Sequence, residues 1–293
     1  MEIYNSFDDF TGKISLSKGN QLKIHLDNLW YKADFLGYEG ASEVVCSELL
    51  AYTNIKDYVY YDLEKMSFND KTYNGCKSKH FLNKYEEIVT IDKLHKQYVN
   101  KPISLMLEGK SVKDKIKYTV DFVKNITGIS NFGQLLTQML EWDSFVLNED
   151  RHFNNIAVIY NNNTKQYKFC PIFDNGAAFL SDIREEYPLE KSIYGLVSKV
   201  KAKPFCEDFE KQVKACEDIY GVQLKIDKSI HLSEDLKNQI KYNYGNKVFN
   251  RITQVLDNQI YLSDYICSYF KEPIKKEDSL SVYHDIEEND IEL

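Results

Sequence analysis

Asp150, Asn155 and Asp174 are the residues of this chain whose types and order could do chemistry. The first two lie in Asn148-Glu-Asp150-Arg151-His152-Phe-Asn-Asn155. The third follows an apolar run, in Pro171-Ile-Phe-Asp174-Asn175-Gly176. An aspartate, an asparagine five residues on and an Asp-x-Gly nineteen residues after that can form the polar core for moving a phosphoryl group. Such a transfer asks for little covalent chemistry from the protein. It needs a carboxylate that orients the attacking hydroxyl and oxygen ligands that hold magnesium against nucleotide phosphates. Asp150 can do the first, Asn155 and Asp174 the second. Each piece alone has a plainer explanation. Asp and Asn populate turns because their side chains bond nearby backbone, and Asp174-Asn-Gly is a good hairpin-turn sequence. Order and spacing together favour the chemical reading, because a hairpin between 156 and 170 would bring Asn155 back beside Asp174.

Elements on either side must deliver these residues. Phe132, Leu135, Leu136, Met139, Leu140, Trp142 and Phe145 recur at three- and four-residue intervals, one helical stripe that is core and ends at the catalytic segment. Ile156–Tyr160 reads as a strand, Asn161-Asn-Asn-Thr as a turn and Tyr167–Cys170 as the partner strand. Upstream, Lys13–Ser17, Gln21–Leu26 and Leu29–Ala33 alternate as three short strands. A helix follows over Ala41–Tyr52 with Ser42 as its cap. Strands are expected again at Asp57–Met66 and Lys71–Leu82, with a turn at Asn74-Gly75. From about residue 85 the pattern turns helical, with helix starts at Ser111 and Asn131 and further helices over 205–270. The last stretch, Lys271–Leu293, holds eight acidic residues and three lysines and reads as a solvated tail.

The strand–helix order suggests a phosphate-gripping lysine. Lys32 ends the third strand, eleven residues before Glu43 in the first helix. A lysine there can reach nucleotide phosphates if a carboxylate holds it. Glu43 is the better partner and Glu48 the alternative; the plain reading of Lys32 is a surface strand lysine. The segment Ser15–Lys23 is the candidate nucleotide-covering loop, with Ser17, Gly19 and Lys23 near the phosphates. It lacks a Gly-x-Gly-x-x-Gly pattern, so backbone N–H groups would do the cradling, and an ordinary hairpin turn explains it as well. His152 could touch phosphate or stabilise its loop through backbone hydrogen bonds.

The motifs Asn148-x-Asp150-Arg-His-x-x-Asn155 and Pro171-Ile-Phe-Asp174-x-Gly176 resemble those of the HipA-like kinase family, its short members in particular. The Asp-Arg-His-x-x-Asn…Asp-x-Gly string also resembles phosphoinositide 3/4-kinases. The likeness is specific over about 130–180, and Ala202-Lys-Pro-Phe is similar to a further short HipA-like motif. The resemblance implies an α+β, bilobal protein-kinase-like fold with a small β-rich N-lobe (1–84), a larger mainly helical C-lobe (85–270) and a flexible tail (271–293). It implies ATP and Mg2+ as cofactors, Asp150 as the catalytic aspartate beside His152 and Lys32, and Asn155 and Asp174 as metal ligands. The γ-phosphate would pass to a Ser/Thr hydroxyl of a protein substrate or of the chain itself, with Ser15 and Ser17 as autophosphorylation candidates. The adenine would lie near Lys79–Asn83. Two alternatives keep the same core: a small-molecule or phosphoinositide kinase, disfavoured by the acidic Ser181–Pro188 segment, and a nucleotide-binding pseudokinase or toxin–antitoxin-type module. An antitoxin or other regulatory partner fits the second.

Composition sets the bounds. The chain has 293 residues, 43% of them hydrophobic, with 22 Tyr and few Gly or Pro, which argues for a sizeable core and against extensive disorder. A formal charge of −8 argues against direct nucleic-acid or anionic-membrane binding. The six cysteines form no Cys-x-x-Cys pair, so they read as reduced thiols rather than a zinc site. No signal peptide or membrane-spanning run is evident, so a cytoplasmic location is expected. The Asn-, Lys-, Ile- and Tyr-rich composition hints at an AT-rich bacterial genome.

Overall fold

The computed structural model describes residues 14–16, 21–68 and 70–266. Ser17, Gly19, the acidic tail and Cys267 lie outside the described residues. The protein is α+β. Its first sheet is antiparallel and has five strands: β1 (Ile14–Leu16), β2 (Leu22–Leu26), β3 (Leu29–Ala33), β4 (Asp62–Phe68) and β5 (Lys71–Lys79), in the order β1-β2-β3-β5-β4. Helix α1 (Glu39–Leu50) comes between β3 and β4. A second, three-stranded sheet pairs β6 (Glu86–Thr90), β7 (Ala157–Asn161) and β8 (Gln166–Phe169). The rest is helical: α2 (Ile91–Val99), α3 (Ile103–Leu107), α4 (Val112–Thr127), α5 (Phe132–Val146), α6 (Tyr194–Val197), α7 (Phe209–Tyr220) and α8 (Glu234–Ile266). Helix α8 is kinked at Gly245, whose φ of 81° leaves the helical region.

The period of two sorts the first sheet into two faces. Ile24, Tyr31, Ala33 and Met66 form a small apolar core on one. The register Lys23↔Lys32↔Cys76 and His25↔Trp30↔Ser78 sets the other, which carries two adjacent lysines. The main core fills the space among α1, α4, α5, α7 and α8, and takes in Trp142, Phe132, Phe179 and Phe205.

Several expectations change. Ser42 is not the cap of α1; Tyr38 holds that position, and Ser42 Oγ instead donates to the Ala178 carbonyl at 3.0 Å. The helix starts earlier because the Glu39 carboxylate folds back onto the N–H groups of Phe35, Leu36 and Gly37. Asn74-Gly75 is not a turn but lies within β5. Its glycine is needed for close approach, since a Cβ on Gly75 would come within 2.1 Å of the Lys32 carbonyl oxygen. Of the expected strand Asp57–Met66 only the second half is strand; Tyr58 makes a parallel bridge to Ile172, just ahead of Asp174. Residues 86–90 are strand rather than helix, because they pair with β7 some seventy residues away, a contact no local period reveals.

Candidate active site

The C-terminal end of α5 starts the site. Asp143 is fully buried near that end, and Leu147, in the left-handed region at φ 57°, caps the helix. The following turn is held by Asn148, whose backbone N–H and side-chain Nδ2 both donate to Asp143, at 2.8 and 2.9 Å. Arg151, with no exposed surface, then places every guanidinium N–H. Nε and Nη2 grip the two oxygens of Asp143 at 2.9 and 3.0 Å. Nη2 also donates to Asn175 Oδ1 at 2.8 Å, and Nη1 to the carbonyls of Asn155 and Phe173 at 3.0 and 2.7 Å. Burial opposes the charge on Arg151, but the Asp143 carboxylate outweighs it and holds its pKa above the ordinary value. One side chain thus staples the Asp150–Asn155 loop to the Asp174–Gly176 loop.

Asp150 lies at the mouth of this arrangement with its side chain 43% exposed. His152 Nε2 is 3.6 Å from Asp150 Oδ2, beyond hydrogen-bonding range, while its backbone N–H donates to the Asp150 carbonyl at 2.8 Å. Asn155 Nδ2 donates to that same carbonyl at 2.9 Å, which leaves Oδ1 as an acceptor without a donor among the described residues. Asp174 follows the Arg151-bound carbonyl of Phe173 and adopts φ 60°, a left-handed conformation that aspartate tolerates better than most residues.

The first sheet and α1 close the site from the other side. Lys32 Nζ donates to Glu43 Oε1 at 2.5 Å, to Asp174 Oδ1 at 2.9 Å and to Tyr61 Oη at 3.3 Å. The other oxygen of Glu43 accepts the N–H of Asn175 at 2.8 Å. Strand β3, helix α1 and the Asp174 loop therefore meet at one ammonium group. Lys23 lies beside Lys32 by strand register and 3.7 Å from the same Asp174 oxygen. Burial works against charge on both Lys32 and Asp174. The two carboxylates nonetheless raise the Lys32 pKa well above its usual value, and the two lysines keep Asp174 well below the carboxylate range. Lys23 moves the opposite way, lowered by burial and then by Lys32. Glu48, the alternative partner for Lys32, is elsewhere: five residues on, it lies about 140° round the helix and accepts from the N–H and Oγ of Ser233 at 2.7 and 2.9 Å.

The structure thus brings Lys32, Glu43, Lys23 and Asp174 into contact, and Asp150 and Asn155 into the neighbouring loop that Arg151 holds. The donor set fits a hard cation: an ionised carboxylate from Asp174 and the open amide oxygen of Asn155. No group of three or more His, Cys, Asp or Glu that could hold a metal occurs among the described residues. A magnesium ion here would complete its shell with phosphate and water oxygens, as that ion commonly does. Sequence reasoning gave no role to Asp143, Tyr61, Asn175 or Lys203. The available signals were an acidic residue inside the apolar stripe of α5 and the Ala202-Lys-Pro-Phe string.

No protein-family model matches the chain, and no curated protein matches it. Solved structures do. The proinflammatory kinase CtkA of Helicobacter pylori superposes with a TM-score of 0.57 over 86% of this chain and 93% of that one, at 17% identity. The chain shares the fold of that kinase. Identity this low speaks to the fold alone. HipA of Shewanella oneidensis MR-1, solved with HipB and operator DNA, is also similar. It shares 13% identity over 88% of this chain and 61% of that one, with a TM-score of 0.40. Among the described residues no helix is long and apolar enough to cross a membrane.

Proposed function

We propose that the protein is a HipA-like kinase that transfers the γ-phosphate of Mg·ATP to a Ser/Thr hydroxyl. One observation carries the reading: Lys32 Nζ touches Glu43 and Asp174 together, next to a loop that presents Asp150 and Asn155. In this reading a cation, a metal-competent carboxylate and a base-competent carboxylate serve one reaction volume, and the Lys32–Asp174 contact with the loop that Arg151 ties beside it supports that. In this reading residues 1–84 and 85–270 are two lobes, and the nucleotide lies between them with its adenine toward Lys79–Asn83.

The roles follow from the contacts. Lys32, oriented by Glu43, binds nucleotide phosphate, and Lys23 adds a second positive charge beside it. Asp174 and Asn155 hold magnesium, which would neutralise charge on the phosphates. Asp150 accepts a hydrogen bond from the acceptor hydroxyl, aims it and takes its proton. His152 keeps the Asp150 loop in shape through its backbone. Binding of Mg·ATP requires Lys32 and Lys23 to shift from the Asp174 oxygen to phosphate oxygens, so the present pairings hold the site in register for the nucleotide. Ser15 and Ser17 are the proposed autophosphorylation positions.

Asp150→Asn and Asp174→Asn test the reading. Each variant should fold as wild type. Asp150→Asn should bind Mg·ATP normally and lose about 10² to 10⁴ in kcat, the usual worth of a positioned base. Asp174→Asn should lose Mg-dependent nucleotide binding as well. Transfer from radiolabelled ATP, with and without magnesium, is the measurement. Undiminished transfer in either variant removes the role assigned to that residue.

A further inference from the structure

Lys203 is outside every role assigned above. Its Nζ lies 2.8 Å from Asp150 Oδ1, while His152 faces the other oxygen. The side chains of Lys203 and Asp150 are 48% and 43% exposed, so the pair adds little to folding stability. Yet the backbone that carries Lys203 is built with care. Gln212 of α7, fully buried, donates from Nε2 to the Lys203 carbonyl and accepts from the Phe205 N–H, both at 2.9 Å. The Ala202 N–H donates to the Glu207 carbonyl at 3.1 Å, and Lys115 Nζ to the Phe205 carbonyl at 3.1 Å. The Phe205 ring packs edge-on against Phe153 of the Asp150 loop, with centroids 5.6 Å apart. A rigid base, welded to the catalytic loop, therefore presents a solvent-accessible ammonium to the one carboxylate that must meet the acceptor.

The other cations of the site are committed elsewhere. Lys32 and Lys23 lie at Asp174, and Arg151 has no N–H left to give. Among the described residues Lys203 is the cation paired with Asp150. A phosphoryl group in flight carries its negative charge spread over three equatorial oxygens, and a preorganised cation aimed at one of them lowers the barrier.

We propose that Lys203 is a catalytic residue, moving from Asp150 Oδ1 to an oxygen of the γ-phosphoryl group during transfer. The inference rests on the kinase reading. In the step, a bond forms between the acceptor oxygen and the γ-phosphorus. The bond from that phosphorus to the β–γ bridging oxygen breaks, its electron pair leaves with ADP, and the acceptor proton passes to Asp150. Lys203 exchanges no proton; it supplies charge and leaves Asp150 open to the hydroxyl.

The test compares Lys203→Met and Lys203→Arg with wild type, with Lys201→Met as a control because Lys201 pairs with Glu207 at 2.8 Å. Transfer from labelled Mg·ATP is read on a degenerate Ser/Thr peptide library and on the protein itself. Binding is measured for Mg·ADP alone and with tetrafluoroaluminate, which mimics the phosphoryl group in flight. Lys203→Met should lower kcat about 10²- to 10³-fold with KM for ATP nearly unchanged, and Lys203→Arg should restore about tenfold of the loss. Binding of Mg·ADP with tetrafluoroaluminate should weaken about tenfold or more while Mg·ADP alone binds as before. Lys203→Met with kcat within about threefold of wild type overturns the proposal, and so does equal weakening of both complexes, the mark of a merely structural lysine. If Asp174→Asn is dead while Lys203→Met is fully active, the kinase reading stands and Lys203 alone falls. Wild-type protein that neither transfers phosphate nor binds Mg·ADP overturns both.

Discussion

Arg151 shows what a single residue does for this site. Its five N–H groups meet five acceptors on α5, the Asp150–Asn155 loop and the Asp174 loop, all away from water. A lysine has three donors and no planar fork, so it cannot make this set. Arg151→Lys should leave carbonyls and part of Asp143 without partners in a dry site and cost about 3 to 5 kcal/mol. Urea unfolding of the purified variant measures the loss, and a change under about 1 kcal/mol would mean the staple is dispensable. The sequence marks Asp150, Asn155 and Asp174 by order and spacing, because the chemistry proposed for them depends on residue type. It does not mark Arg151 and Asp143 as a pair, because their value depends on burial, and an Asp eight residues before an Arg is unremarkable until both are found without exposed surface. Lys32 and Glu43 fall between: strand-then-helix context suggested them, but their separation from Glu48 required the helix face.

At the scale of elements, the contact of α1 with β5 sets the position of Glu43. Gly40 and Gly75 meet backbone to backbone, and Glu43 follows Gly40 by one turn, which carries its carboxylate to Lys32. Gly40→Ala inserts a methyl group within 2.5 Å of the Gly75 main chain, with no flexible side chain to give way. Helix α1 must shift, at a cost of about 1 to 3 kcal/mol, and Glu43 moves with it. The variant should melt earlier and bind Mg·ATP more weakly, whereas an Ala at the open, helix-capping Gly128 should leave nucleotide binding alone. Isothermal titration on both variants separates the outcomes. The same contact explains what was legible in this region. Three short strands, the following helix and the hairpin after Asn155 appear in the sequence as local alternation and turn residues. The Asn74-Gly75 pair imitates a turn because Gly serves close packing as well as positive φ, and β6 is hidden because its partner strand is distant.

At the scale of the molecule, the kink of α8 returns to the first sheet and creates a proton-sensitive seam. Asn74 Nδ2 donates to the Asn243 carbonyl at 2.8 Å, and Tyr244, one residue on, faces Asp34 in the turn between β3 and α1. Asp34 Oδ1 accepts the Gly40 N–H at 2.6 Å, while Asp34 Oδ2 and the Tyr244 hydroxyl are both buried with each other as their polar neighbour. Burial, reinforced by nearby Glu39 and opposed by the Gly40 N–H, Tyr244 and Arg184, raises the Asp34 pKa to about 7 from an ordinary 3.8. Folded protein therefore keeps a proton that unfolded protein loses, so the native state binds more protons between about pH 4 and pH 7. Stability from this group is complete below the unfolded pKa and is lost as pH rises through the folded one. Glu149, pushed to about 7, and Glu141, to about 8, both mainly by burial, act in the same direction. Melting temperature should fall as pH rises from 5 to about 8. Asp34→Asn keeps an acceptor for Gly40, supplies a donor for Tyr244 and has no charge to bury. It should flatten part of that slope and gain about 1 to 3 kcal/mol at pH 8, while the Glu149 and Glu141 contributions persist. Thermal scans of wild type and variant at pH 5 and 8 decide it, and parallel curves would show that the seam carries no proton linkage.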